Sequence, residues 1–113
     1  MAQNILEYTR KKRAVALDMT ERIVERVHPQ RVLLFGSVAR GAAREMSDID
    51  LMVIAESDLS FKERMRVLYE DLERHHDIDM LWYTPNELER MKRTSSFVRH
   101  ALREAVTLYE RTG

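Results

Sequence analysis

Three short apolar segments constrain the fold of this chain more than any other feature of its sequence. They are Arg31–Phe35, Asp50–Ala55 and Asp77–Tyr83, and each lies beside charged or turn-forming residues. Apolar runs of this length, bounded by turn residues, are typical of buried β-strands. The chain is therefore predicted to form a sheet of three strands or more.

A helix is predicted before the first strand. Apolar residues recur there at four-residue spacing: Val15, Met19, Ile23 and Val27. This spacing places them along one face of an amphipathic helix, and Pro29 ends it.

Two later helices carry capping signals at their starts. Ser60 and Glu63 fit a capping box, which predicts a helix that continues to about His75. The segment Thr84–Glu87 supplies an N-cap threonine, a proline at the first helical position and an acid two residues later. A second capped helix is expected to begin there.

The last predicted element is also a helix. After a break at Thr94–Ser96, apolar residues recur at helical spacing from Val98 to Ala105, with Tyr109 near the end of this helix. The resulting order of elements predicts a small α/β or α+β fold with helices packed on a sheet. The length of 113 residues fits one domain spanning residues 1–113.

The composition excludes several kinds of site. Lys plus Arg and Asp plus Glu both number 19, so no overall positive field favours nucleic acid. The chain has no cysteine, which excludes disulfides and thiolate metal sites and fits a reducing cytoplasm. No apolar run approaches the roughly 20 residues that span a bilayer, so we expect no membrane association.

Asp48 and Asp50 form the first candidate site. They lie two residues apart at the start of a predicted strand, so both carboxylates point to the same face. Carboxylates this close repel each other unless a cation lies between them, and hard oxygen ligands suit Mg²⁺ or Mn²⁺. Taken alone, the pair is equally compatible with a turn residue followed by a solvated aspartate.

Gly36 and Ser37 form the second candidate site, directly after the first strand. A strand that ends in Gly-Ser presents backbone N–H groups and a hydroxyl, which are groups that bind phosphate. Taken alone, the dipeptide is better explained by an ordinary strand-ending turn. Together with Asp48 and Asp50, however, it predicts a site for a triphosphate bound as its metal complex.

Asp79 supplies a third carboxylate in the last predicted strand. It is flanked by Ile78 and Met80, so its charge would be unsatisfied unless it met a cation or hydrogen-bond donors. Asp77 lies two residues before it on the same face, and a solvated turn position accounts for Asp77.

These motifs resemble the DNA polymerase beta-type nucleotidyltransferase superfamily, and within it the minimal nucleotidyltransferases. The resemblance rests on Gly36–Gly41, on Ser47–Leu51 and on Asp79 in a later strand. Residues 96–110 also resemble the family's C-terminal helix. The resemblance implies a polymerase beta-like fold with a small mixed β-sheet.

The resemblance also implies a reaction and the roles of the site residues. Asp48 and Asp50 would bind two divalent ions, Mg²⁺ or Mn²⁺, and Asp79 would complete the site of the ion that activates an attacking hydroxyl. Ser37 and the Gly36 backbone would hold the β- and γ-phosphates of ATP. Two such ions stabilise the entering and leaving oxygens of an in-line displacement.

The acceptor is the least constrained part of this hypothesis. Minimal nucleotidyltransferases of this kind typically accompany a HEPN-domain toxin and transfer AMP to a tyrosine of that protein, which would make this chain an antitoxin. Transfer to a small molecule such as an aminoglycoside, and neutralisation of a toxin by contact alone, are the alternatives. The sequence leaves open whether the chain forms a homo-oligomer.

Some charged and aromatic residues have more than one interpretation. Arg40 could contact a triphosphate oxygen or be a surface charge, and the sequence favours neither. The basic run Arg10–Arg13 is interpreted as a solvated helix face rather than a contact for RNA or an acidic partner. Trp82 and Tyr83 alternate between strand faces, where core packing is preferred to stacking on a base.

Overall fold

A computed structural model describes residues 2–72 and 77–112 of the chain. Its sheet has four strands: β1 (Arg31–Phe35), β2 (Ile49–Ile54), β3 (Ile78–Tyr83) and β4 (Val106–Glu110). The strands lie in the order β3-β2-β1-β4. β2 pairs parallel with β3, whereas β1 pairs antiparallel with β2 and with β4. The predicted mixed sheet is confirmed, and the three predicted strands are each within one residue of their observed bounds.

Within the described residues, five α-helices surround the sheet: α1 (Ala2–Val27), α2 (Gly36–Ala39), α3 (Phe61–Arg66), α4 (Pro85–Thr94) and α5 (Ser96–Glu104). Both predicted capping boxes form, at Ser60 and at Thr84. α3 continues as a π-helical segment, Val67–Leu72, and the predicted helix end near His75 lies outside the described residues. None of the described helices combines the length and apolar character needed to cross a membrane.

The end of the chain differs from the prediction of one long helix. α5 ends at Glu104, Ala105 adopts an extended backbone, and Val106–Glu110 forms β4. The helix expected to reach Tyr109, and the C-terminal helix suggested by resemblance, are therefore wrong beyond Glu104. Val106 to Tyr109 are mostly β-branched or aromatic residues, which suit a strand, and pairing with the open edge of β1 outweighs their local helical spacing.

The sheet is covered on both faces, because successive residues of each strand point to opposite sides. One core lies between the sheet and α1, and its largest members include Met19, Ile23, Leu34 and Met80. The other lies under α4 and α5, where Leu33, Met52 and Val98 meet. Trp82 belongs to the first core and Tyr83 to the second, as the interpretation of core packing requires. The two central strands, β1 and β2, are almost entirely buried, so their ends and the side chains there are held in fixed positions.

Candidate active site

The turn after β1 approaches β2 more closely than any side chain would allow. Gly36 has a positive φ of 77°, and a Cβ atom placed on it would lie 2.2 Å from the Asp50 carboxylate oxygen Oδ2. The antiparallel register that pairs Phe35 with Asp50 brings the two together. The positive φ favours glycine at this position, and a Cβ atom here would also force the Asp50 carboxylate to move. Ser37 follows in the first turn of α2 and is partly exposed.

The strand pairing brings the three predicted carboxylates together. Asp50 of β2 is the direct register partner of Asp79 in the parallel strand β3. Adjacent residues in neighbouring strands point to the same face of a sheet, and Asp48 precedes Asp50 by two residues on that side. The three aspartates therefore lie around one end of β2, beside Gly36.

The pKa values of Asp50 and Asp79 are raised by burial and by neighbouring carboxylates. Burial, followed by the charges of Asp79 and Asp48, raises the pKa of Asp50 to about 6. The pKa of Asp79 is raised too, first by burial and then by the charge of Asp48 and a hydrogen bond with its side chain. Each charge is held where a second negative charge disfavours it, which is the situation that a divalent cation relieves.

The donor set fits a hard divalent cation. Carboxylate oxygens are the ligands that Mg²⁺ and Mn²⁺ prefer, and here three carboxylates lie beside the Gly36–Ser37 turn. Within residues 2–72 and 77–112, no three His, Asp or Glu side chains are already grouped closely enough to hold an ion. Asp48, Asp50 and Asp79 would have to draw together around the cation, as expected of groups that repel each other without it.

Two residues of the basic run in α1 hold the loops of the site in place. Lys12 donates from Nζ to the Ser47 carbonyl oxygen at 2.5 Å and lies 3.7 Å from Asp77. Arg13 donates to the carbonyl oxygens of Val38 and Ala39 at 3.1 and 2.9 Å. The interpretation of the whole run as a solvated face is therefore wrong for Lys12 and Arg13.

The sequence does contain a signal for this role of Lys12. Position 12 lies three residues before Val15 and four before Ala16, so it continues the stripe of α1 that faces the sheet. Its side chain is only 11% exposed. A buried lysine needs acceptors, and the carbonyl next to Asp48 supplies one.

Glu104 is a residue of the site that the sequence did not predict. It is the last residue of α5, and its Oε1 accepts a hydrogen bond from the Gly36 N–H at 3.0 Å. Its Oε2 accepts one from Arg40 Nη1 at 2.8 Å. Hydrogen bonding to Arg40 is the main cause that lowers the pKa of Glu104. Arg40 therefore fits neither interpretation as stated. Its guanidinium lies at the site, but it is paired with the Glu104 carboxylate.

Solved structures with a similar fold include one described as a nucleotidyltransferase and two described as toxin–antitoxin proteins. A candidate nucleotidyltransferase from Sulfolobus solfataricus superposes with a TM-score of 0.72 at 21% identity, over 96% of this chain and 88% of that chain. A toxin–antitoxin with AMP-PNP gives a TM-score of 0.52 at 22% identity. A mutant of the toxin–antitoxin MntA–HpeT gives 0.51 at 19% identity. In both cases 85% of this chain and 74% of the other are covered.

Sequence comparison adds the family. Curated protein sequences contain no match to the chain. The family model described as "Polymerase beta, Nucleotidyltransferase" matches residues 18–112. The matched region includes the Gly36–Ser37 turn, all three aspartates and Glu104, and the fold agrees with it. The chain therefore belongs to the polymerase beta nucleotidyltransferase family.

Proposed function

We propose that this protein transfers AMP from ATP to a hydroxyl group with the help of Mg²⁺ or Mn²⁺. The observation that carries the proposal is the convergence of Asp48, Asp50 and Asp79 beside the Gly36–Ser37 turn. A phosphate-binding turn next to repelling carboxylates suits a triphosphate bound as its metal complex.

Each site residue has a distinct part in this reaction. Asp48 and Asp50 would hold the divalent ions, and Asp79 would complete the site nearest the attacking hydroxyl. Ser37 and the Gly36 backbone bind the β- and γ-phosphates. When bound, the ions stabilise charge on the entering and leaving oxygens of an in-line displacement. A bond forms between the acceptor oxygen and the α-phosphorus, the bond to the β-phosphate oxygen breaks, and pyrophosphate and a proton are released.

We infer that the acceptor is a tyrosine hydroxyl of a HEPN-domain toxin, for which this chain acts as the antitoxin. Two of the structures that share its fold are toxin–antitoxin proteins, and one of them was solved with AMP-PNP, an analogue of ATP. The other carries aspartate-to-glutamate changes at two positions spaced two apart, which is the spacing of Asp48 and Asp50. Transfer to a small molecule and neutralisation by contact are the competing functions.

Mass spectrometry of a co-expressed partner tests the proposal. A HEPN-type protein, sought first among the proteins encoded next to this one, is co-expressed with it, purified and supplied with Mg²⁺-ATP. We expect the wild type to add about 329 Da, the mass of one AMP, to a partner tyrosine. Asp58→Asn is the matched control, because Asp58 is exposed in the loop before α3, and it should transfer AMP normally.

Asp79→Asn separates catalysis from binding. The variant should still bind Mg²⁺-ATP through Asp48, Asp50 and Ser37, but transfer should slow on the order of a thousandfold, since a ligand of the activating ion is lost. If wild type and variant neutralise the partner equally and neither modifies it, the protein is a contact-only antitoxin. If AMP appears on a small molecule instead, the proposed acceptor is wrong and the chemistry stands.

A further inference from the structure

Glu104 binds the two groups of the site that are best suited to bind a phosphate. One carboxylate oxygen accepts the Gly36 N–H and the other accepts Arg40 Nη1, at 3.0 and 2.8 Å. A carboxylate and a phosphate are both anionic acceptors of hydrogen bonds, so either can bind a backbone N–H and a guanidinium. Glu104 therefore fills an anion position that is formed by the chain itself.

A bound triphosphate and Glu104 cannot both use these donors. The Gly36 N–H has one hydrogen to donate. A phosphate that accepted this hydrogen would lie against the Glu104 carboxylate, which is also negatively charged. The charge of Glu104 already contributes to the raised pKa of Asp50, so the negative charge in this part of the site is high. The Glu104 carboxylate and a phosphate on the same donors would therefore repel each other.

On the basis of the function proposed above, we propose that Glu104 holds the place of a phosphate group in the free protein. On this view the Mg²⁺-triphosphate binds by displacing the Glu104 carboxylate from Gly36 and Arg40. Arg40 then exchanges one anionic partner for another. Glu104 is in this sense an internal competitor that sets how tightly the nucleotide binds.

The position of Glu104 allows this exchange without rearrangement of the fold. It is the final residue of α5, whose packing against the sheet depends on Val98 and Ala101 rather than on this side chain. Arg40 is 51% exposed, so its guanidinium can turn toward a ligand in solvent. A change of side-chain rotamer at the end of one helix is sufficient.

Binding of Mg²⁺-AMP-PNP, measured by calorimetry at fixed ionic strength, tests the inference. We expect Glu104→Ala to bind the nucleotide roughly five- to tenfold more tightly than the wild type, since one exposed ion pair and one charge-assisted hydrogen bond no longer have to be broken. Glu104→Gln should also bind it more tightly, but with a smaller gain, because its amide oxygen can still accept from the Gly36 N–H. Glu110→Ala is the matched control. Glu110 is the register partner of Arg31 at the end of β1 opposite to Gly36. The Glu110→Ala variant should therefore bind the nucleotide with the affinity of the wild type.

A double-mutant cycle with Arg40→Met tests the mechanism. The gain in nucleotide affinity from Glu104→Ala should be smaller in the Arg40→Met background. Part of that gain comes from freeing Arg40 to bind the nucleotide, and Arg40→Met removes this part. Melting temperatures show which variants fold, and Glu104→Gln carries the test if the alanine variant does not. This glutamine keeps the shape of the side chain and can still accept from the Gly36 N–H.

The possible failures are distinguishable. If the wild type binds Mg²⁺-AMP-PNP and folded Glu104 variants bind it equally or more weakly, Glu104 supports the site and the inference is overturned while the proposed function stands. If neither the wild type nor any variant binds the nucleotide, the proposed function fails and the inference fails with it.

Discussion

Asp50→Asn should stabilise the metal-free protein at neutral pH. The pKa of Asp50 is raised from 3.8 to about 6, so its ionised form is less stable in the folded protein than in the unfolded chain. The penalty begins as the pH rises above 3.8 and is complete above the folded-state value. This difference between the folded and unfolded pKa corresponds to about 3 kcal/mol. Partial exposure of the group to solvent reduces this to about 1–2 kcal/mol.

Thermal melting in EDTA between pH 4 and pH 8 measures this effect. The melting temperatures of wild type and variant should coincide near pH 4, and the variant should melt about 4–8 °C higher at pH 7.5. Because the wild type and Asp50→Asn are compared at the same pH, the effects of other titrating groups on the melting temperature cancel. Adding Mg²⁺ should raise the melting temperature of the wild type more than that of the variant. A variant that melts lower than the wild type at pH 7.5 in EDTA would refute the idea that Asp50 is held against repulsion.

Three further predictions concern groups around the site and in the core. Lys12→Met should lower the free energy of unfolding, measured by urea denaturation, by about 1–3 kcal/mol, because it leaves the partly buried Ser47 carbonyl oxygen without its donor. The exposed Lys11→Met should cost under about 0.5 kcal/mol, and equal losses would contradict the assigned contacts. Gly36→Ala should cost about 2–4 kcal/mol through its positive φ and the missing space; a fully stable variant would mean that the turn can relax. The Arg64 side chain is only 4% exposed and forms an ion pair with Glu87 at 2.7 Å. Its hydrogen bonds to Glu87 are the main cause that lowers the pKa of Glu87 from 4.5 to about 2. Stability should therefore fall as the pH drops from 4.5 towards 2, by up to about 3 kcal/mol, and an unchanged acid dependence in Glu87→Gln would contradict this.

The parts of the site that could be predicted depend on local geometry. Strand alternation alone placed Asp48 and Asp50 on one side, and the Gly-Ser turn followed from the end of an apolar run. Capping boxes at Ser60 and Thr84 involve residues only three apart. Such contacts are decided within a few residues, so the sequence pattern contains nearly all the information that they need.

The parts that could not be predicted depend on contacts between distant segments. Glu104 meets Gly36 and Arg40 across 68 and 64 residues, and Lys12 meets Ser47 across 35. β4 has helical spacing of apolar residues, yet the unpaired edge of β1 makes it a strand. Tertiary pairing of this kind overrides local preference, and no window of the sequence contains both partners.

The pairing of β1 with β4 also has a consequence for the nascent chain. β1 lies inside the finished sheet, but its partner consists of residues 106–110, and contacts of such long sequence separation form late. Until those residues leave the ribosome, one edge of a strand that is apolar on both faces is open to pairing with other chains. A chaperone that covers this edge would improve the yield of folded protein, and translation stalled before Val106 should lead to aggregation.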